Sequence, residues 1–460
     1  MLRTLRAALQ QPARLLPRQS SCLHPPNASS FSTFPRIKEV RAYVVESKDE
    51  DDQGADCHDV EDEHWINGFP TPIANPMSGY PQYAGTRKSW GINALGSLVV
   101  EVEAEDGTLG QGITIGGEPG TFIVEKHLSR FVEGQDPRNL ELMWDQMWRA
   151  TINYGRKGLP LQCISAVDLA VWDLLGKLRG DTVYNLLGGK VVDRLPVYST
   201  SSNPVNARDL GFVGGKIPCP YGPSAGDEGF RKNVEFFKEW RAKVGPDFPL
   251  MLDCYMALTV PYAIKLAKAL APHGLKWMEE FLPPDDYAGY KEVKEALRGS
   301  GVMLTTAEHE YTRYGFRRLI EDRSVDVIQP DITWLGGMTE ARRVVALAAA
   351  HDVLVIPHGS SIYSYHLQYA FRNCPMAEFI NLSPKSDTIT PYFGGLFPDE
   401  PLPANGFIDL DPSKPGFGVT LRREGLRRPH ARTAADVKAQ FDANANPDPK
   451  FASTKAHMPF

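Results

Sequence analysis

The segment VMLTTAEHEYTRYGFRRLIEDRSVDVIQPDIT, residues 302–333, sets the rhythm of most of the chain. Two apolar runs, at 302–306 and 325–329, enclose a helix-like stretch, YGFRRLIEDRS. Apolar runs without strict alternation mark strands buried on both faces, which points to a parallel sheet with right-handed helical crossovers. Each run also leads to an acid, Glu308 after the first and Asp331 after the second.

The same unit recurs to either side. After Asp193 the runs are LPVYSTSS, GFVGGKIP, LMLDCYM, LKWMEEFL, VMLTTAEHE, VDVIQPDIT, VLVIPHGS and EFINLSP. Helix-like segments such as RKNVEFFKEWRAK, TVPYAIKLAKALAPHG and MTEARRVVALAAAHD lie between most of them. Eight such strands in residues 191–400 predict a closed α/β barrel rather than an open sheet. No G-x-G-x-x-G follows a strand, so a dinucleotide-binding fold is not indicated.

Residues 37–190 read differently, as an α+β unit. RIKEVRAYVVE alternates like a strand, and SLVVEVEAEDGTLGQGITIGG reads as two strands turning at Asp106 and Gly107. The segment CISAVDLAVWDLLGKLRG has apolar residues at helical spacing, with Gly180 as its expected stop. The acidic stretch SKDEDDQGADCHDVEDEHW is expected to be a solvated loop. Residues 401–430 have strand and turn character and are expected to pack back on this unit. Residues 431–460 form a polar tail, expected at the surface or without order.

Composition narrows the class. Apolar residues make up 42% of the 460, charged residues 23%, and the formal net charge is -6. These values suit a globular protein and suggest neither a nucleic-acid nor a membrane partner. Six cysteines without a C-x-x-C pair argue against a zinc site or a secreted disulfide framework, and for a reducing, intracellular setting. Residues 1–36 hold five arginines, several serines and no acid, and 2–17 can form a basic amphipathic helix. That composition reads as a mitochondrial transit peptide; without one, the cytoplasm is the expected location.

In a barrel of this kind, chemistry gathers at the C-terminal ends of the strands. The third strand ends at Asp253, the fourth offers Glu279 and Glu280, and the fifth offers Glu308. The sixth ends at Asp331, the seventh at His358, and the eighth begins with Glu378. Intervals of 26 and 29 residues separate Asp253, Glu279 and Glu308, each about one β/α unit. Three converging carboxylates repel one another unless a cation joins them, and an all-oxygen set favours Mg2+. Strand alternation lets only one of Glu279 and Glu280 face inward. Asp331 and His358 sit on neighbouring strands, as a carboxylate that orients a basic imidazole would.

These motifs together resemble the enolase superfamily, in its mandelate racemase-like branch. LMLDCYM, WMEEFLPP, AEHEY, VIQPDITWLGG and VIPHGSS follow in that order, and SAVDLAVWDLLGK resembles the motif just before the barrel. The resemblance covers residues 37–425 and implies a (β/α)7β barrel with an N-terminal α+β capping domain. Within the branch, HWINGFPTPIANPMSGYPQY, RKSWGINALGSLVVEVE, GGKIPCPYGP and EEFLPPDDYAGY are most similar to the L-rhamnonate dehydratase family.

The resemblance implies Mg2+ ligands Asp253, Glu279 and Glu308, a general base His358 with Asp331 as its partner, and Glu378 beside the substrate carboxylate. It implies substrate contacts at His64 and Arg87, and a homo-oligomer. Racemases of the branch carry K-x-K on the second strand, and the last lysine is a base. Here the triplet is Lys216, Ile217 and Pro218, which leaves one base and favours elimination of water from an acid sugar. Lys216 is expected near the substrate. Two other readings remain, the same scaffold acting on another aldonate or as an epimerase, and a non-catalytic binding barrel.

Overall fold

The computed structural model describes residues 34–46, 72–83 and 95–446. The expected transit peptide (up to residue 33), His64, Arg87 and residues 447–460 lie outside the described residues.

The first layer is an antiparallel sheet. Its strands β1 (Ile37–Val45), β2 (Ser97–Ala104) and β3 (Leu109–Ile115) lie in chain order. The hairpin turns where expected, with Gly107 at φ +84°, a left-handed conformation that glycine adopts without a Cβ clash. Helices α1 (Gly117–Lys126), α2 (Leu140–Thr151), α3 (Leu159–Arg179) and α4 (Val183–Leu186) follow. Helix α3 ends at Gly180 in the left-handed region, with its N–H bonded back into the last turn.

Helix α3 is long and apolar enough to cross a bilayer, yet almost all of it is buried within the protein. A helix apolar on every side needs protein around it, and α3 lies against β3 on one face. A Cβ at Gly112 would fall 2.1 Å from the Ala166 carbonyl oxygen, so glycine there permits the close approach.

The second layer is the barrel. It runs β4 (Leu195–Thr200), α5 (Pro204–Asp209), β5 (Gly215–Pro218), α6 (Gly226–Val244), β6 (Leu250–Asp253), α7 (Val260–Leu270), β7 (Leu275–Glu279) and α8 (Tyr287–Ala296). It continues through β8 (Met303–Thr306), α9 (Thr312–Glu321), β9 (Val327–Ile328), α10 (Gly337–Ala349), β10 (Leu354–Val355), α11 (Ile362–Ala370) and β11 (Ala377–Ile380). The spatial order is β10-β9-β8-β7-β6-β5-β4-β11, with parallel pairing throughout. This is the (β/α)7β architecture. Across the remaining gap, the Gly359 N–H after β10 donates to the Glu378 carboxylate of β11 at 3.0 Å.

Strands β9 and β10 are shorter than their apolar runs. Pro330 and Pro357 explain the early end, because proline has no N–H to continue a ladder. Each proline immediately precedes a candidate site residue, Asp331 and His358. Inside the barrel, Tyr198, Met251, Trp277, Val327 and Ile356 pack as one buried cluster beneath the strand ends.

Two polar residues of α3 join the layers, and a third ties the late segment to the cap. Ser165 accepts from the Gly336 N–H at 2.9 Å, and Asp168 accepts from the Thr339 N–H at 2.9 Å at the start of α10. A carboxylate suits that helix N-terminus. Asp173 accepts from Gln111 in β3 and from Phe417. The late segment then divides: β12 (Phe407–Ile408) pairs with β4, and β13 (Leu426–Arg427) pairs with β1. Residues 401–430 therefore touch both layers. Part of the polar tail is helical, as α12 (Ala434–Ala445), started by a Thr433 side-chain cap.

Candidate active site

The parallel register aligns the acids. Pro218 pairs with Asp253, Asp253 with Glu279, and Glu279 with Thr305, three residues before Glu308. One oxygen from each of Asp253, Glu279 and Glu308 lies within 4.8 Å of the others.

Left-handed residues sit beside all three acids: Tyr255 (φ +40°), Met256 (+60°), Glu280 (+39°) and Ala307 (+99°). Such conformations cost about 1–3 kcal/mol each and cluster where a site demands them. The one at Glu280 corrects an expectation. Alternation holds only for extended backbone, and it stops at Glu280. Both Glu279 and Glu280 are buried on the rim, and the Glu280 carboxylate lies within the same 4.8 Å range of Glu308 and His309.

Glu279 is held on both oxygens. Oε2 accepts from Gln329 Nε2 at 2.8 Å and Trp277 Nε1 at 3.1 Å, while Oε1 meets Lys216 Nζ. The fully buried Lys216 also reaches Asp253 at 3.2 Å and Glu378 at 2.8 Å. Burial pushes the Lys216 pKa down, but Glu279, Glu378 and Asp253 outweigh it and hold the ammonium well above its ordinary value. The two acids that share this lysine diverge. Glu279 is held well above the carboxylate range by burial and by its acidic neighbours, against the pull of Lys216. Glu378 is also buried, but Lys216, His358 and the Thr200 hydroxyl outweigh that and keep it ionised.

The imidazole faces this cluster. His358 Nδ1 lies 2.7 Å from Asp331 Oδ2, and its Nε2 lies 3.7 Å from Glu308 Oε2. The other Asp331 oxygen accepts from the Thr333 N–H at 2.7 Å and the Thr333 hydroxyl at 2.6 Å. Asp331 is thereby fixed, and Nδ1–H donation to it leaves Nε2 turned toward Glu308. Burial lowers the His358 pKa, but Glu308 and Asp331 overcome that and raise it to about 10; a cation held by Glu308 would offset that acid's pull and leave Nε2 free to accept a proton.

The structure thus brings together Asp253, Glu279, Glu308, Asp331, His358, Glu378 and Lys216. Among the neighbours that escaped the sequence reading are Gln329, Trp277 and His309. Gln329 lies two residues before Asp331 and Trp277 two before Glu279, a spacing that could have suggested a shared face. His309 was visible only as part of the AEHEY motif.

The donor set suits a hard divalent cation. Asp253, Glu279 and Glu308 offer oxygen alone, the chemistry Mg2+ prefers. The alternative group, Glu280, Glu308 and His309, is compromised because Glu280 and His309 already bond each other at 2.8 Å.

A barrel with converging acids and an imidazole–carboxylate pair at its rim defines an enolase-like enzyme class. Residues 209–425 match the Enolase C-terminal domain-like family, and residues 92–188 match the Mandelate racemase / muconate lactonizing enzyme N-terminal domain. The chain belongs to this family. It is 52% identical over 396 residues to an L-rhamnonate dehydratase of Saccharopolyspora erythraea, covering 86% of this chain and 99% of the relative. It also matches the crystal structure of rhamnonate dehydratase from Gibberella zeae complexed with Mg, at 48% identity and a TM-score of 0.81, covering 85% of this chain and 96% of that one. A racemase from Streptomyces coelicolor with bound magnesium is more distant, at 26% identity and a TM-score of 0.66, covering 84% and 97% of the two chains.

Proposed function

We propose that this chain dehydrates L-rhamnonate to 2-dehydro-3-deoxy-L-rhamnonate and water, with Mg2+ as cofactor. The supporting observation is the His358–Asp331 pair at 2.7 Å facing the three-carboxylate cluster, with Pro218 where a second base would stand.

Asp253, Glu279 and Glu308 would hold the Mg2+, which supplies positive charge for a substrate carboxylate whose α-proton is being removed. His358 Nε2 takes the C2 proton. Asp331 keeps Nδ1–H in place and stabilises the imidazolium that results. Lys216 donates to the substrate carboxylate as it becomes an enediolate, and Glu378, 2.8 Å from the ammonium, holds it in place. The imidazolium then returns its proton to the hydroxyl leaving C3. With proline at 218, no second base is available on that strand for two-base racemisation.

Incubation with Mg2+ and a panel of acid sugars tests this reading through formation of a 2-keto product. L-Rhamnonate is expected to be the best substrate. Turnover of gluconate or galactonate without rhamnonate would overturn the substrate, and no product from any sugar would overturn the activity. Import into mitochondria with removal of the leader is proposed on composition alone, and the mass of the mature chain tests it. Assembly as a homo-oligomer is proposed from the family, and light scattering tests it.

A further inference from the structure

A second imidazole–carboxylate pair stands on the same rim, and the mechanism above does not use it. His309 Nδ1 lies 2.8 Å from Glu280 Oε2, and the His309 backbone N–H reaches the other Glu280 oxygen at 3.4 Å. Glu280 is buried and is turned inward by its left-handed backbone, whereas 21% of the His309 side chain remains exposed. The ring sits edge-on to Tyr255, with centroids 5.7 Å apart, and tilted against Trp334 at 5.3 Å. The same Trp334 also lies 5.3 Å from His358. Glu308 also stands between the imidazoles, 3.4 Å from His309 Nδ1 and 3.7 Å from His358 Nε2.

His309 is thus locked through one nitrogen and two aromatic neighbours. Its Nε2 has no hydrogen-bond partner among the described residues. Building such a brace around a partly exposed ring is what orienting a ligand requires.

The geometry points to His309 as a substrate-orienting residue, its Nε2 hydrogen-bonding one chain hydroxyl of the acid sugar while Glu280 positions the ring. This rests on the dehydratase reading. The substrate carboxylate would meet the Mg2+ and Lys216, and C2 faces His358, so the chain hydroxyls need partners from the surrounding wall. A site built to bond a hydroxyl rejects an analogue that lacks it.

The test uses the full chain with Mg2+ and compares wild type, His309→Ala and Glu280→Gln. Substrates are L-rhamnonate and its 4-deoxy and 5-deoxy analogues, and the unreactive 3-deoxy analogue is read as an inhibitor. For one of the analogues, wild type should lose about 10- to 100-fold in kcat/KM or in inhibition constant, as expected for one buried hydrogen bond. His309→Ala should lose a similar factor on L-rhamnonate but almost none further on that analogue. Glu280→Gln should show the same pattern more weakly. C2 hydrogen exchange with solvent should persist in both variants, because His358 is intact.

Equal losses for every analogue in wild type and His309→Ala would overturn the inference, as would wild-type kcat/KM in His309→Ala. A purely structural role would lower stability without selecting one hydroxyl. If His309→Ala fails to fold by circular dichroism, His309→Asn carries the same comparison. If wild type acts on no aldonate, the dehydratase reading has failed and this inference falls with it.

Discussion

Two regions of the molecule bury carboxylates, and they balance them differently. In the capping layer, Glu101, Glu125 and Glu133 are fully buried, and arginines meet each of them. Arg41 and Arg423 pair with Glu101, Arg428 and Arg432 with Glu125, and Arg432 with Glu133. At the barrel rim, Asp253, Glu279 and Glu378 share Lys216. Among the described residues, the basic groups paired with Glu308 are imidazoles.

The capping layer shows what a structural solution looks like, with guanidinium forks matched to carboxylates on fixed backbone. The rim departs from that solution. Among the described residues it gathers more acid than fixed cation, which is costly in a buried setting. Such an excess is what a divalent cation would complete. Burying acids is therefore not the mark of a site in this protein; clustering several of them with too little fixed positive charge is.

The sharpest way to break this contrast is at the rim. His358→Asn should lower dehydration by about a thousandfold or more, because one group both removes and returns the proton. Exchange of the C2 hydrogen for deuterium should vanish while Mg2+ binding, measured calorimetrically, survives. Retained exchange would assign the base elsewhere.

The capping layer should respond in stability instead. Arg432→Met strands the buried Glu133 and should cost about 3–5 kcal/mol in urea unfolding, with kcat of the folded fraction unchanged. A large loss of kcat with unaltered stability would erase the distinction between the regions.

Gln329→Ala sits between these extremes. It removes the 2.8 Å bond that orients Glu279 and should weaken Mg2+ binding about 10- to 100-fold, with little change in fold stability. Unchanged Mg2+ affinity would show that Lys216 and Trp277 suffice to hold Glu279.

The last test concerns a buried imidazole away from the rim. His366 Nδ1 accepts from the Tyr184 N–H at 3.2 Å, and Nε2 donates to the Phe417 carbonyl at 3.3 Å. Burial pushes its pKa down to about 3, against the Phe417 bond. Its folded pKa thus lies below the unfolded value near 6.5, so its contribution is complete above that pH. It is lost as pH falls toward 3, by up to about 1.4 kcal/mol per pH unit. His366→Gln should flatten that part of the stability–pH profile, and an unchanged slope would refute the assignment.

Much of the barrel was legible because its signal is periodic. Strand, helix and strand end recur at about one unit's spacing, and the acids fall at corresponding places. The hairpin at Gly107 and the stop at Gly180 were legible because left-handed backbone has few residue choices. The inward turn of Glu280 was not, since a non-glycine residue at φ +39° is held by its surroundings. Nor were Arg428 and Arg432, whose partners Glu125 and Glu133 lie about 300 residues away.

By itself the sequence determined the order of strand ends, the residue types placed there and the absence of a second base at 218. These follow from local pattern and covalent identity. Only the tertiary structure decided which acids share Lys216, that Glu280 joins Glu279 on the rim, and that His309 and His358 both lie against Trp334. Those outcomes depend on parallel register and strained backbone, which arise only when distant strands are paired side by side.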